Sequence, residues 1–232
     1  MRYLNVVPAV FLSRPNRFIA KVLVEGVEET VHVKNTGRCK ELLVPGCRVW
    51  LERSDNPRRK TLYDLVTVEK PLEGGGTKIV NMDSQAPNRL FAEWAAAGHF
   101  RPGLTLLRPE TVWGRSRFDF YWEAGPDRRG FAEVKGCTLE KDGWTYFPDA
   151  PTERGVKHLE ELTLAKAEGY EATVCFVIQM ADVGGFSPND ETHPAFGEAL
   201  RKAAACGVEV LAYQCSVVPG EVHMTRPVPV KL

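Results

Sequence analysis

Hydrophobic and polar positions alternate in short runs over the first third of the chain. Residues 18–24, 27–33, 46–51 and 62–68 each read as a β-strand, punctuated by Glu25-Gly26 and by the Pro45-Gly46 turn. About five strands without a good helix suggest a small barrel of the OB type. Residues 71–77, with three successive glycines, read as a linker or long loop, because such a run cannot hold a regular element cheaply.

Beyond it the period changes. Residues 88–98 predict a short helix after Pro87 with Leu90, Phe91 and Trp94 on its apolar side, closed by Gly98. Residues 117–123 and 131–135 predict a β-hairpin around the turn-rich 124–130. Residues 153–168 predict a helix entered through Pro148 and Pro151 and ended by Gly169, with Val156, Leu159 and Leu162 inward. The run 172–179 lacks alternation, as a strand covered on both faces should. Residues 194–206 predict a helix, 208–213 a strand, and 182–192 an irregular loop. The expected architecture is mixed α/β: an OB-like barrel over 1–80, then a restriction-endonuclease-like mixed sheet with flanking helices over 81–232.

Period-2 geometry places the chemistry. In the hairpin, Asp119 shares a face with Arg117 and Tyr121, and Glu133 shares one with Lys135, while Ala132 and Val134 point away to pack. Two carboxylates that close repel unless a cation sits between them, so Asp119 and Glu133 are candidate ligands of Mg²⁺ or Mn²⁺, with Lys135 placed to orient water or neutralise charge on a phosphorane-like transition state. The bland reading is an exposed salt-bridge ladder. Glu93 is either a third acid of this centre or the partner of Arg89 one turn away, and Glu110 is a spare carboxylate at the head of the same sheet; the sequence does not choose between them. On the helix 153–168, Arg154, His158 and Glu161 lie along one side with Lys157 adjacent, so its first turns can offer cations to phosphate.

The order of an acid-bearing helix, Asp119, Glu133-x-Lys135 and a helix with basic residues resembles the PD-(D/E)xK nuclease superfamily. The stretches Gly114-Arg-Ser-Arg-Phe-Asp-Phe120, Tyr146-Phe-Pro-Asp-Ala-Pro-Thr-Glu-Arg-Gly155, Lys157-His-Leu-Glu-Glu-Leu162, Asn35-Thr-Gly37 and Gly207-Val-Glu-Val-Leu-Ala-Tyr213 resemble the bacterial and archaeal sugar fermentation stimulation protein A family. Cys39 departs from the methionine expected there and touches nothing catalytic. The resemblance implies DNA binding, an N-terminal barrel and a C-terminal nuclease-like domain. In a nuclease reading of these residues, the Val134 carbonyl joins Asp119 and Glu133 at the metal, and Arg154, Lys157 and Arg115 hold phosphate.

Composition modifies this picture in one respect. The chain of 232 residues carries 30 basic and 30 acidic side chains, so any DNA binding rests on local clusters of cations. Candidates are Arg14 and Arg17, Arg38 and Lys40, Arg53 with Arg58, Arg59 and Lys60, and Arg115 with Arg117; at least three are expected to converge on one groove, where phosphate contacts add. No recognition-helix pattern is evident, so binding is expected to be led by backbone and shape rather than base sequence. Trp113 and Trp144 fit core or rim packing better than base stacking, and Tyr146 and Phe147 are placed to wall the site. Six cysteines without CxxC or zinc-like spacing fit reduced thiols in the cytoplasm. No apolar run reaches the roughly 20 residues of a membrane span, and the start is no signal peptide. Oligomeric state is not legible. A DNA-binding protein with a metal-dependent nuclease centre therefore competes with a regulator that binds without cutting, linked to sugar-metabolism gene expression, and with a binding module whose carboxylates are structural.

Overall fold

The structure, a computed structural model, describes residues 1–35, 37–72 and 74–232. Strands β1 (Val6–Asn16), β2 (Ile19–Val24), β3 (Val27–Val33) and β4 (Arg48–Arg53) bury one side each, β5 (Tyr63–Pro71) is buried on both faces from Asp64 to Val68, and Phe11, Ala20, Val22, Val31, Val33, Val49, Leu51 and Leu65 fill a common core. The sheet runs β3-β2-β1-β4-β5, and a parallel pairing of His32 with Asp64 and Val33 with Leu65 closes it into a five-stranded barrel. Cys39, Leu42 and Leu43, on the turn after β3, join the same core.

Residues 71–77 are not a linker. Pro71 pairs with Thr77, so β5 turns directly into β6 (Thr77–Asn81), and Gly74, Gly75 and Gly76 sit at φ near +90° in the turn. Only glycine adopts three such conformations in succession without strain, and this supplies a tight hairpin instead of a tether. The passage to the second part is itself buried: Met82 and Asp83 lie within the protein, and Asn81 donates to Tyr3 Oη (2.9 Å) and the Val66 carbonyl (3.0 Å). Gln179 Nε2 donates to Asn81 Oδ1 (2.7 Å) and the Asp83 carbonyl (2.9 Å), so the two parts share a satisfied polar junction.

The second part is a six-stranded mixed sheet. Its chain order is α1 (Ala86–Ala96), β7 (Leu104–Trp113), β8 (Ser116–Ala124), β9 (Arg128–Cys137), β10 (Leu139–Lys141), β11 (Trp144–Phe147), α2 (Glu153–Ala167), β12 (Glu171–Ile178), β13 (Gly185–Pro188), α3 (Pro194–Ala205), β14 (Glu209–Val218) and β15 (Glu221–Pro227). The sheet order is β15-β14-β12-β9-β8-β7, with β9, β12 and β14 parallel, while β10, β11 and β13 form a small separate sheet. Helix α1 packs one face through Leu90, Phe91 and Trp94; α2 and α3 cover the other through Leu159, Leu162, Phe196 and Leu200. Strand β12, buried from Ala172 to Ile178, lies between them as its unbroken apolar run predicts.

Several boundaries moved. Helix α1 starts at Ala86 and takes Pro87 into its first turn, where a missing N–H costs nothing. The expected loop 182–192 contains β13, which adds to β11 in parallel. Strands β7 and β15 carry too little alternation to read from sequence, and each takes its shape from a stronger neighbouring strand. No helix among the described residues is long and apolar enough to cross a membrane.

Candidate active site

The expected hairpin forms from β8 and β9, with Phe120 opposite Ala132 and Tyr121 opposite Phe131. At Asp119 the ladder stops. Asp119 Oδ2 accepts the Val134 N–H at 2.8 Å and Oδ1 accepts Nδ2 of Asn88, from α1, at 2.8 Å. The side chain thus stands where a strand carbonyl otherwise would. Strict alternation fails at this point: Phe118 packs on Phe131 and the edge of His158, toward α2, as does Tyr121, while Phe120 packs on Phe91 of α1. The expectation that Asp119 shares a face with Tyr121 is therefore corrected. The strand turns over beside Glu110 of β7, which holds φ +54° and pairs with Arg117 (2.7 Å), so neither residue is at the acid pair.

Gly136 allows the helix to come this close. A Cβ there would meet Pro87 Cγ at 2.6 Å and Gln179 Oε1 at 2.7 Å, so the bare Cα lets the first turn of α1 rest on β9 and brings Asn88 to Asp119.

Glu133 is 2% exposed. Its Oε1 accepts Lys135 Nζ at 2.5 Å and contacts His158 Nδ1, whereas Oε2 is buried without a hydrogen-bond partner. Burial pushes the Glu133 carboxyl up, but the hydrogen bond from His158 and the Lys135 charge outweigh it and hold the group below the usual range. Asp119 goes the other way: burial first, then the charge of Glu133, raise it against the Val134 N–H, Asn88 and Lys135. A bound cation beside the raised Asp119 would supply positive charge that favours its ionised form. Among the described residues no three His, Cys, Asp or Glu side chains form a metal cluster by themselves. The donors fit a hard, oxygen-seeking ion bound by two carboxylates, with backbone and solvent completing its shell, and the orphaned Oε2 is the atom that most needs it.

The other expected site residues divide. Lys157 Nζ donates to the Arg115 carbonyl (2.6 Å) and Arg154 Nε lies 3.3 Å from His158 Nε2, so the α2 N-terminal turns bring Arg115, Arg154 and Lys157 together, all exposed. Glu93 is not at the acid pair: it binds Arg89 (3.1 Å) and the amino group of Met1 (2.7 Å) on the far flank of α1. Arg59 is not free for phosphate, since it grips both oxygens of buried Asp64. Arg14 accompanies it in a structural role, donating to the carbonyls of Arg17, Asn35, Gly37 and Arg38. Arg17, Arg38, Lys40, Arg58 and Lys60 are exposed on barrel loops, and Arg53 is exposed at the end of β4. The loop bearing Arg38 reaches the second part, where Gly37 lies against Asp149 and a cleft of about 180 Å³ opens among Gly37, Ser84, Gly136, Tyr146, Asp149 and Gln179. Trp113 packs on Phe118, Phe131 and Tyr170.

Sequence reasoning missed Asn88, and it misplaced His158. The helical spacing set His158 beside Arg154 and Glu161 on a phosphate-facing side, but both His158 and Glu161 are buried, the latter accepting the Arg115 N–H (3.3 Å). A polar stripe at this spacing reads the same whether it faces solvent or the edge of a sheet.

Barrel, mixed sheet and interrupted hairpin together define a class: an OB domain fused to an α/β domain that gathers an acid pair and a lysine on neighbouring strands. The chain belongs to the sugar fermentation stimulation protein family. The model of the SfsA N-terminal OB domain matches residues 12–81, and that of the sugar fermentation stimulation protein RE domain matches residues 85–221. A sugar fermentation stimulation protein homolog of Desulfitobacterium hafniense (strain Y51) is 53% identical over 100% of this chain and 99% of its own length. A homolog of Ruminiclostridium cellulolyticum is 50% identical over the full length of both. Among solved structures, that of Pyrococcus furiosus SfsA in complex with Ca²⁺ is similar with a TM-score of 0.86 and 26% identity, covering 100% of this chain and 98% of the other.

Proposed function

We propose that this protein binds DNA largely without regard to sequence and carries a Mg²⁺- or Mn²⁺-dependent phosphodiesterase centre. The observation that carries the reading is the acid pair itself: Glu133 Oε2 is buried and unpartnered beside an Asp119 whose carboxyl is raised by burial first and then by the Glu133 charge. Asp119 and Glu133, with the Val134 carbonyl, would hold the ion, which supplies Lewis-acid polarisation of a phosphate oxygen and acidifies a nearby water. The Ca²⁺ in the name of the Pyrococcus furiosus structure supports a hard divalent ion of this type.

The chain's own groups do the rest. Lys135, with a side chain 15% exposed, keeps its ammonium on Glu133 and adjacent to the position of an attacking water, where it steadies growing negative charge. Arg115, Arg154 and Lys157 offer phosphate contacts on the same side, and the OB barrel, residues 1–80 in this reading, is an architecture that commonly binds oligonucleotides. Residues 81–232 form the catalytic part. Cys39, Cys137, Cys175 and Cys215 are free and buried, which favours the cytoplasm as the place of action.

The test incubates the protein with supercoiled, linear and single-stranded DNA in Mg²⁺ or Mn²⁺, beside EDTA and Asp119→Ala controls. Cleavage that disappears in both controls is expected. Intact DNA with a salt-sensitive mobility shift would instead make this a binding protein on a nuclease scaffold, and the absence of both signals would overturn the reading.

A further inference from the structure

We propose that His158 is a positioning residue for the acid pair and that Arg154 fixes its tautomer. The inference rests on the reading of Asp119 and Glu133 as a cation site, and it gives Arg154 a role other than phosphate contact alone.

His158 is 4% exposed, its ring edge-on to Phe118 with centroids 6.3 Å apart. One ring nitrogen, Nδ1, meets Glu133 Oε1; the other, Nε2, lies 3.3 Å from Arg154 Nε. A guanidinium nitrogen only donates, so Nε2 must accept and carries no proton. A neutral imidazole has a single N–H, which is then on Nδ1 and donates to Glu133. The chain of donors runs Arg154 to His158 to Glu133.

This arrangement has two effects on the carboxylate. Oε1 is occupied by two donors, His158 from α2 and Lys135 from its own strand, so the group cannot rotate freely. Oε2 is then the oxygen left bare and buried. A neutral ring orients the carboxylate without cancelling its charge, which keeps the free oxygen attractive to a cation; outer-shell partners of metal ligands commonly act in this way.

Mn²⁺ titration calorimetry on the full chain tests the assignment. Replacement by an apolar ring, His158→Phe, is expected to weaken Mn²⁺ binding about 10–100-fold. His158→Asn, whose amide still donates to Oε1, should restore it to within a few-fold of wild type. Arg154→Met should weaken binding less, and Arg154→Met combined with His158→Phe should be no worse than His158→Phe alone, because both act through one path. Unchanged affinity in His158→Phe, with Asp119→Ala abolishing binding, would overturn the proposal; so would additive losses. Nitrogen NMR of the wild-type histidine ring reads the tautomer without any substitution: Nδ1–H is expected, and Nε2–H would refute the relay even if a variant fails to fold. Absence of Mn²⁺ binding by the wild type would instead sink the cation site, while the tautomer measurement would still judge the hydrogen-bond chain.

Discussion

Two buried carboxylates in this protein have nearly the same neighbours and opposite states of completion. In the barrel, Asp64 faces His32, Arg59 and Lys34: Oδ1 takes His32 (2.8 Å) and Arg59 (2.5 Å), and Oδ2 takes Arg59 again (2.8 Å) with Lys34 at 4.0 Å. In the second part, Glu133 also faces a histidine and a basic residue, but both sit on Oε1 and Oε2 has none. A carboxylate that holds structure together saturates both oxygens. One that waits for a ligand leaves an oxygen free, at a cost to stability that binding repays.

The largest expected contrast is between substitutions at these two places. Glu133→Gln or Asp119→Asn should lower divalent-cation affinity more than 100-fold by calorimetry, and Asp119→Asn should do so with the melting midpoint equal or higher, because it removes a carboxyl whose charged form burial and Glu133 disfavour. Asp64→Asn should do the reverse, preserving cation affinity and losing about 2–4 kcal/mol in denaturant unfolding, as Arg59 is left without its anion, while Lys34 keeps Asp83 and Glu52. Equal behaviour of the two sites would end the distinction.

The pH dependence of stability should separate Asp64 from Asp119, the neighbour of Glu133, in sign. Burial raises the Asp64 carboxyl, but hydrogen bonds from Arg59 and His32 pull it below the usual range, so its stabilisation is present above the unfolded value of about 3.9 and is lost as pH falls through the lower folded value. Asp119 is held above the usual range, so it opposes folding at neutral pH and ceases to do so as pH falls through its raised folded value toward that of the unfolded chain. Acid titrations of metal-free Asp64→Asn and Asp119→Asn against wild type should therefore show a deficit that shrinks toward low pH in the first and a gain that shrinks in the second.

Gly136→Ala should have an intermediate effect. The new methyl would push Pro87 and Gln179 outward, costing about 1–3 kcal/mol by overpacking, and should reduce cation affinity by drawing Asn88 off Asp119. Smallest are the single surface cations: Arg115→Ala or Lys157→Ala should each weaken DNA binding uniformly across sequences and lower the salt slope by roughly 0.7–0.9. Loss confined to one sequence would argue against backbone-led binding.

The hydrophobic and polar pattern determined much of this molecule by itself. Four of the five barrel strands, the three helices, the buried β12 and the hairpin that carries Asp119 and Glu133 follow from local periodicity, since each element must turn one face to a core whatever else it meets; β1 does not read as a run of its own. Tertiary structure decided the rest. Whether Gly74 to Gly76 formed a tether or a turn depended on where β6 found a partner, and whether Glu93 reached the acids depended on which flank of α1 faced the sheet. Asn88 and His158 stand 31 residues before Asp119 and 25 after Glu133 in the chain, and reach them only because α1 and α2 pack on opposite faces of one sheet. The face reversal at Asp119 breaks the period-2 rule at the residue where it matters most. Local pattern fixes which side chains are available, but which oxygen of Glu133 is left bare is settled by contacts between elements distant in sequence, and these no local period encodes.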